Sequence, residues 1–190
     1  MCSRATSSLA ESVMAPVVTT KCCYLRVTHR SPRAFILLSM GTLTLEELSA
    51  RTIVAANSLT LKPGQEAFIT PPSYAIAEAY FAPDTEWPRV VLDGDTVVGF
   101  IRGHFDTETS APEFHSCIWR IHIAAEAQGR GVGRFAVEAI AAEARSRGFA
   151  QLTVLWEPGD NGPGEFFHTL GFRDIGETRY GETIAALSLS

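Results

Sequence analysis

The chain reads as an α/β or α+β domain in three layers, a sheet with helices packed against it. Three observations predict this. Apolar residues spaced for helices give way near residue 89 to short β-rich runs, two of which flank Asp93-Gly94-Asp95 as a hairpin would. A glycine-rich stretch, 128–134, stands between a strand pattern and an amphipathic helix pattern. After it the chain alternates strand, helix, strand, helix, strand, which with the preceding meander makes a layered domain.

Residues 1–39 lack either periodicity, are rich in Ser, Thr and Arg, and precede a second methionine, Met40. They are expected to form a poorly ordered extension to a domain over 40–190, and their acid-poor composition also resembles an organellar transit peptide. From Thr42 to about Leu61, Glu46-Glu47 and spaced apolar residues predict a strand or turn feeding a helix; Ser73–Phe81 follows Pro71-Pro72 as a short helix. Arg89–Leu92 and Thr96–Ile101 form the hairpin, and Cys117–Ile123 is the third strand of the meander. Phe135–Arg147 carries Ala136, Val137, Ile140, Ala141 and Ala144 at helical spacing and stops at Gly148. Gln151–Trp156 is a buried strand, a short helix spans Gly164–Leu170 before Gly171, and Thr183–Leu189 is the last strand.

Composition narrows the function classes. With 190 residues and 46% hydrophobic content the chain has enough material for one sizeable core. No run approaches the roughly 18 to 20 apolar residues of a membrane span, so a soluble protein without a membrane partner is expected. Cys2, Cys22, Cys23 and Cys117 lack both CxxC spacing and disulfide-scaffold density, which fits a reducing, cytoplasmic setting. The five histidines lack HxxxH spacing, and no metal is expected. Residues 1–39 hold five basic residues and one acidic, while the remainder holds eleven basic and twenty acidic. Such a body repels nucleic acid and favours a cation, for which a polyamine or amino-sugar is suited.

The chemistry centres on Gln128-Gly129-Arg130-Gly131-Val132-Gly133-Arg134. Amides at a helix start lack intrahelical acceptors and sit at the positive end of the macrodipole, so they suit a phosphate or diphosphate. Glycine lets that ligand approach the backbone. The Walker pattern GxxxxGK[ST] is absent, and the glycines run GxGxG after a meander strand, unlike a Rossmann fingerprint. An ordinary glycine-rich turn capping a helix is the competing reading.

QGRGVGR resembles the Q/RxxGxG/A acetyl-CoA motif of the GNAT N-acetyltransferases, and Gly171-Phe172, about 40 residues on, resembles the GF ending that family's second motif. The resemblance spans residues 42–189. LKPGQEAFITPPSYAIAEAYF (61–81), VVGF (97–100), WRIHI (119–123) and PGDNGPGEFFHTLGF (158–172) are most similar to its bacterial spermine/spermidine acetyltransferase branch. It implies a GNAT-like three-layer fold with a mixed, splayed sheet of about 6–7 strands, and acetyl-CoA as cosubstrate without a metal. Gln128, Gly129, Arg130, Gly131, Val132, Gly133 and Arg134 would then hold the diphosphate, and backbone groups of Ile121 and Ile123 would pair with the pantetheine arm where strands 117–123 and 151–156 splay. The acetyl carbonyl would be polarised by an amide near Ile123. Asn161 stands within one position of a pantetheine-binding asparagine of the family. Dimers are common in the family, so a homodimer is compatible.

An alkyl ammonium with a pKa near 10 must lose a proton before attack, so a carboxylate is required near the splay. Glu66, Glu157, Glu165 and Glu182 are candidates; Glu66 and Glu182 lead because they fall in family-like segments. His122 is a second candidate base. The tyrosine that many GNATs use to protonate the departing thiolate falls at Phe167, so water, His168 or Tyr80 would have to replace it. Cys117 has no evident base beside it for a covalent route. The expected reaction is direct acetyl transfer to a primary amine of a small cationic acceptor, a polyamine or diamine. An aminoglycoside-type or protein N-acetyltransferase, or a catalytically weak coenzyme A sensor, are the alternatives.

Overall fold

A computed structural model describes residues 43–189, so the extension expected over 1–39 lies outside the described residues. The first of them form β1 (Leu43–Glu47), which passes through Ser49 and Thr52, joined by side-chain and backbone hydrogen bonds, into the short helix α1 (Ile53–Asn57). Helix α2 (Pro72–Phe81) begins on Pro72, whose missing N–H costs nothing at a helix start. Strands β2 (Glu86–Asp93) and β3 (Thr96–Phe105) pair up to Asp93 and Thr96, and Gly94 with φ 60° makes the two-residue reversal.

Then come β4 (Ser116–Ile123), α3 (Val132–Ser146), β5 (Gln151–Trp156), α4 (Gly164–Thr169), β6 (Arg173–Glu177) and β7 (Thr183–Ser188). The seven strands form one sheet in the order β1-β2-β3-β4-β5-β7-β6. Every neighbouring pair is antiparallel except β4 and β5, which α3 connects. A parallel pair needs such a crossover. Among the described residues no helix is long and apolar enough to cross a membrane.

Two apolar clusters fill the faces of the sheet. On one, α3 buries Phe135, Ala136, Val137, Ile140 and Ala144 against Ile101, Phe105, Ile118 and Leu152. Gly103 permits the close approach of α3, because a Cβ there would stand 2.7 Å from Cδ1 of Ile140. On the other face Ala56 and Ala75 of α1 and α2 pack with Val90, Leu92 and Phe100.

The α2 side also buries charge. Arg102 reaches Glu86 and Glu78, and His104 Nδ1 lies 2.7 Å from the second Glu86 oxygen. The side chains of Arg102 and Glu86 are 4% and 3% exposed, so each depends on the other for its solvation.

Two features of the sheet position the site. The β3–β4 register pairs Arg102 with Arg120 and Gly103 with Ile118, which leaves Trp119 as an extra residue in β4. This bulge breaks the alternation of faces: Ile118, Ile121 and Ile123 pack on the α3 side, whereas Trp119 and Arg120 bond to Glu78 and Thr70 on the α2 side. Secondly, β4 and β5 pair only at Cys117–Thr153 and Ile118–Val154. Beyond these pairs the two strands part while β5 continues to pair with β7 as far as Trp156–Thr183.

Candidate active site

Where β4 leaves β5 the sheet opens into a cavity of about 380 Å³. One wall comes from β4, with Ile118, Trp119, Arg120, Ile121 and Ile123; the other comes from β5, with Val154, Leu155 and Trp156. Gln128, Gly129 and Gly133 close the cavity at the start of α3, Phe166 and Phe167 of α4 line it, and the 61–69 loop adds Lys62, Gln65 and Phe68.

The glycine loop has the form of an anion cradle. Gly129 and Gly131 hold φ of 79° and 87°, and a Cβ on either would meet nothing within 4 Å, so this backbone faces open space. Gly131 is the N-cap of α3 and no side chain caps the helix; the first amide to bond back is that of Phe135, to the Gly131 carbonyl at 3.0 Å. The amides of Val132, Gly133 and Arg134 therefore stand at the helix start without intrahelical acceptors. Gly133 is small for another reason: a Cβ there would come within 3.0 Å of the Phe166 ring. Val132 buries its side chain in the core and offers the loop only backbone.

The side chains of the loop divide. Gln128 donates through Nε2 to the Ile123 carbonyl at 3.0 Å and to Gln65 at 2.8 Å, and accepts from Gln65 Nε2 at 3.1 Å, so it joins the 61–69 loop to the end of β4. Arg130 is 61% exposed and reaches Asp93 at 3.1 Å, and Arg134 is half exposed beside Glu138 at 4.0 Å. Because the Ile123 carbonyl meets Gln128 on the edge of β4 that has left β5, the backbone of Ile121, two residues earlier, presents the same open edge. A linear amide-bearing ligand fits such an edge.

Of the remaining sequence candidates, Asn161 and Phe167 line the cavity. Phe167 is 2% exposed and stacks on Trp156 with centroids 5.6 Å apart. His168 lies at the surface with Nε2 2.6 Å from Asp174, and Tyr80 is largely exposed. Glu66 is exposed on the short 65–67 turn and is not a lining residue. Glu182 is half-buried and accepts a hydrogen bond from Thr178 Oγ1 at 3.0 Å. Glu157 and Glu165 are exposed. Burial pushes the Cys117 thiol up to about 12, which leaves no thiolate for covalent chemistry at neutral pH. Among the described residues no group of His, Cys, Asp and Glu is placed to hold a metal.

His122 does not line the cavity; it lies on the α2 face at 2% exposure, with its ring tilted against Phe100. Burial, aided by the charge of Arg120, pulls its pKa from 6.5 down to about 4, so the imidazole is neutral at pH 7. The unfolded chain thus binds a proton that the folded chain refuses between these values, and stability falls as pH drops from 6.5 towards 4, by about 3 kcal/mol at most. Chemical denaturation at pH 7 and pH 4.5 is expected to show a smaller acid loss in His122→Gln than in the parent; equal losses would assign the acid sensitivity elsewhere.

Residues that the sequence alone left out are Lys62, Gln65, Trp119, Arg120 and Trp156, all lining residues. The Gln128 position was visible as a motif, whereas its partner lies 63 residues earlier and had no local signal.

The model of the family described as Acetyltransferase (GNAT) family matches residues 54–172. No curated protein matches the sequence. Among solved structures, the ribosomal-protein-S18-alanine N-acetyltransferase from Escherichia coli is 19% identical, covering 78% of this chain and 94% of its own, with a TM-score of 0.55. An N-acetyltransferase from Staphylococcus aureus Mu50 is 16% identical over 79% of this chain and 100% of its own, TM-score 0.58. The paia N-acetyltransferase from Thermoplasma acidophilum, solved in complex with coenzyme A, is 12% identical over 78% and 99%, TM-score 0.61. At these identities the structural likeness concerns the fold alone.

Proposed function

The chain belongs to the acetyltransferase (GNAT) family and is an acetyl-CoA-dependent N-acetyltransferase, and on that premise we propose that it acetylates a primary amine of a small acceptor admitted at the Trp119–Arg120 end of the cavity. The observation that carries this reading is the parting of β4 from β5 directly beside the unbonded amides at the start of α3. Gly129 to Arg134 hold the diphosphate, and the open β4 edge at Ile121 and Ile123 aligns the pantetheine arm, with Asn161 and Phe167 on the opposite wall. When bound, acetyl-CoA supplies the activated acetyl group. The backbone near Ile123 orients its carbonyl, and Glu182 draws a proton from the incoming ammonium, directly or through water. Neither carboxylate is a lining residue; Glu182 is favoured over Glu66 because it is half-buried and its charge acts on the cavity residue Arg120, whereas Glu66 is exposed. His122 is buried, neutral and outside the lining, which supports a packing role.

The acidic body supports a polyamine or diamine acceptor through long-range attraction. Its test is incubation with acetyl-CoA and spermidine, spermine, putrescine or an aminoglycoside, with acetylated product read by mass spectrometry. Absence of transfer to every amine while coenzyme A still binds would remove the catalytic reading and leave that of a coenzyme A sensor. Phe167 bears on the same distinction. A phenol in its place lines the cavity and supplies a proton to the leaving thiolate, so Phe167→Tyr is expected to raise turnover several-fold. Unchanged turnover would assign that proton to water.

A further inference from the structure

The acceptor class can be narrowed from the charges on the cavity wall. Among the described residues, the charged side chains lining it are Lys62 and Arg120, and no Asp or Glu does so. Arg120 is half-buried, and none of the described carboxylates lies within 4.0 Å of its guanidinium. Its hydrogen bonds go to the Thr70 hydroxyl at 3.3 Å through Nε and to the Trp119 carbonyl at 2.7 Å through Nη1. A guanidinium has five N–H donors, and these two bonds are the ones it makes among the described residues. The neighbouring Arg102 is the contrast, since Glu86 and Glu78 both neutralise it. A half-buried cation that no carboxylate pairs directly has donors for a ligand to complete.

Its position fits a ligand group distinct from the cosubstrate. The bulge at Trp119 turns Arg120 to the α2 face, and along β4 it stands three residues, about 10 Å, before Ile123, which Gln128 ties to the glycine loop. Glu78 and Glu182 lie near enough to act on its charge without pairing with it. One free guanidinium with carboxylates nearby suits a molecule that carries both charges.

We propose that Arg120 binds a carboxylate of the acceptor, so that the substrate is an amino acid or a close analogue, with its amine directed to the splay and its acid group gripped by the guanidinium. This rests on the transferase reading and narrows its small amine acceptor to a zwitterion, with a polycation as the rival outcome of the test. A planar fork of donors matches a carboxylate in a two-bond geometry that lysine does not reproduce.

The test compares acceptors that differ only in the acid group: the twenty amino acids, their carboxamides and the corresponding decarboxylated amines, with spermidine as the polycation. Thiol release from acetyl-CoA gives kcat/KM, and calorimetry gives coenzyme A affinity. At least one amino acid is expected to exceed its carboxamide and amine by tenfold or more. Arg120→Gln is expected to abolish that preference, and Arg120→Lys to keep part of it, with coenzyme A affinity unchanged in both. Equal or better use of carboxamides, amines or spermidine overturns the proposal, as does a preference that survives Arg120→Gln. A matching loss of coenzyme A affinity would place Arg120 against the cosubstrate and also overturn it. Transfer to no amine at all, with coenzyme A bound, removes the transferase reading and this inference with it.

Discussion

Coenzyme A affinity is expected to fall by roughly ten- to a hundredfold when Arg130→Glu and Arg134→Glu are combined, as measured by calorimetry at low salt. Both side chains are substantially exposed and flank amides that have no acceptor within the helix, so the substitution alters the field at the cradle without opening the core. Each reversal exchanges an attraction to phosphate for a repulsion. At an exposed position this amounts to about 1 kcal/mol per side chain, and each 1.4 kcal/mol corresponds to tenfold in affinity. The difference should shrink in 0.5 M salt, where screening acts within a few ångströms. Arg130 must leave Asp93, 3.1 Å away, to reach a ligand, so Arg134→Glu alone is expected to have the larger single effect. Unchanged affinity in the double variant would mean that the diphosphate is not held at this helix start, and the functional reading would fail with it.

Loss of one partner in the buried charge cluster is expected to be the most destabilising change on the α2 side. Glu86→Ala should lower unfolding free energy by about 3–5 kcal/mol, because Arg102 would keep its charge with only Glu78, half exposed, to balance it, and His104 would lose its contact as well. Replacing both members, as Glu86→Leu with Arg102→Met, should recover much of that loss, since an apolar pair of similar volume needs no counter-ion. Urea denaturation of Glu86→Leu, Arg102→Met and their double closes the cycle. A cost below about 1 kcal/mol for Glu86→Ala would show that the pair is solvated and not structural. The consequence reaches the site, since Arg102 lies under the Trp119 ring, 5.3 Å from its centroid, and Glu78 accepts the indole N–H at 3.2 Å. Loosening this cluster frees the bulge that presents Arg120.

The parts of the fold legible in the sequence were those set by local chemistry. The reversal at Gly94, the start of α2 at Pro72, and the amphipathic α3 ending before Gly148 each follow from backbone preference or from one-sided burial within a few residues. The strand β6 has no such signal: all five of its residues are exposed and its register with β7 skips Ile175, so it lacks the alternation that marks a strand. It exists because the edge of β7 was available to pair.

The site divides in the same way. The glycine motif announced a helix start with free amides, and the parting of β4 and β5 was expected from the resemblance. Strict alternation suggests that His122, one residue from Ile121 and Ile123, could serve the acetyl pocket; instead its ring is buried against Phe100 on the α2 face. Glu66, chosen for its segment, stands exposed outside the lining, while Arg120 attracted no notice because an arginine in a strand is ordinarily a surface residue.

By itself the order of residues determined most of the succession of elements, the hairpin, and the glycine-rich helix start at Gln128–Arg134, because each depends on neighbours along the chain. Only the tertiary structure decided the bulge at Trp119, the Gln65–Gln128 pairing and the lack of a described carboxylate within 4.0 Å of the Arg120 guanidinium. Register across strands and the presence of a counter-ion depend on residues tens of positions away, and no local pattern encodes where those residues arrive.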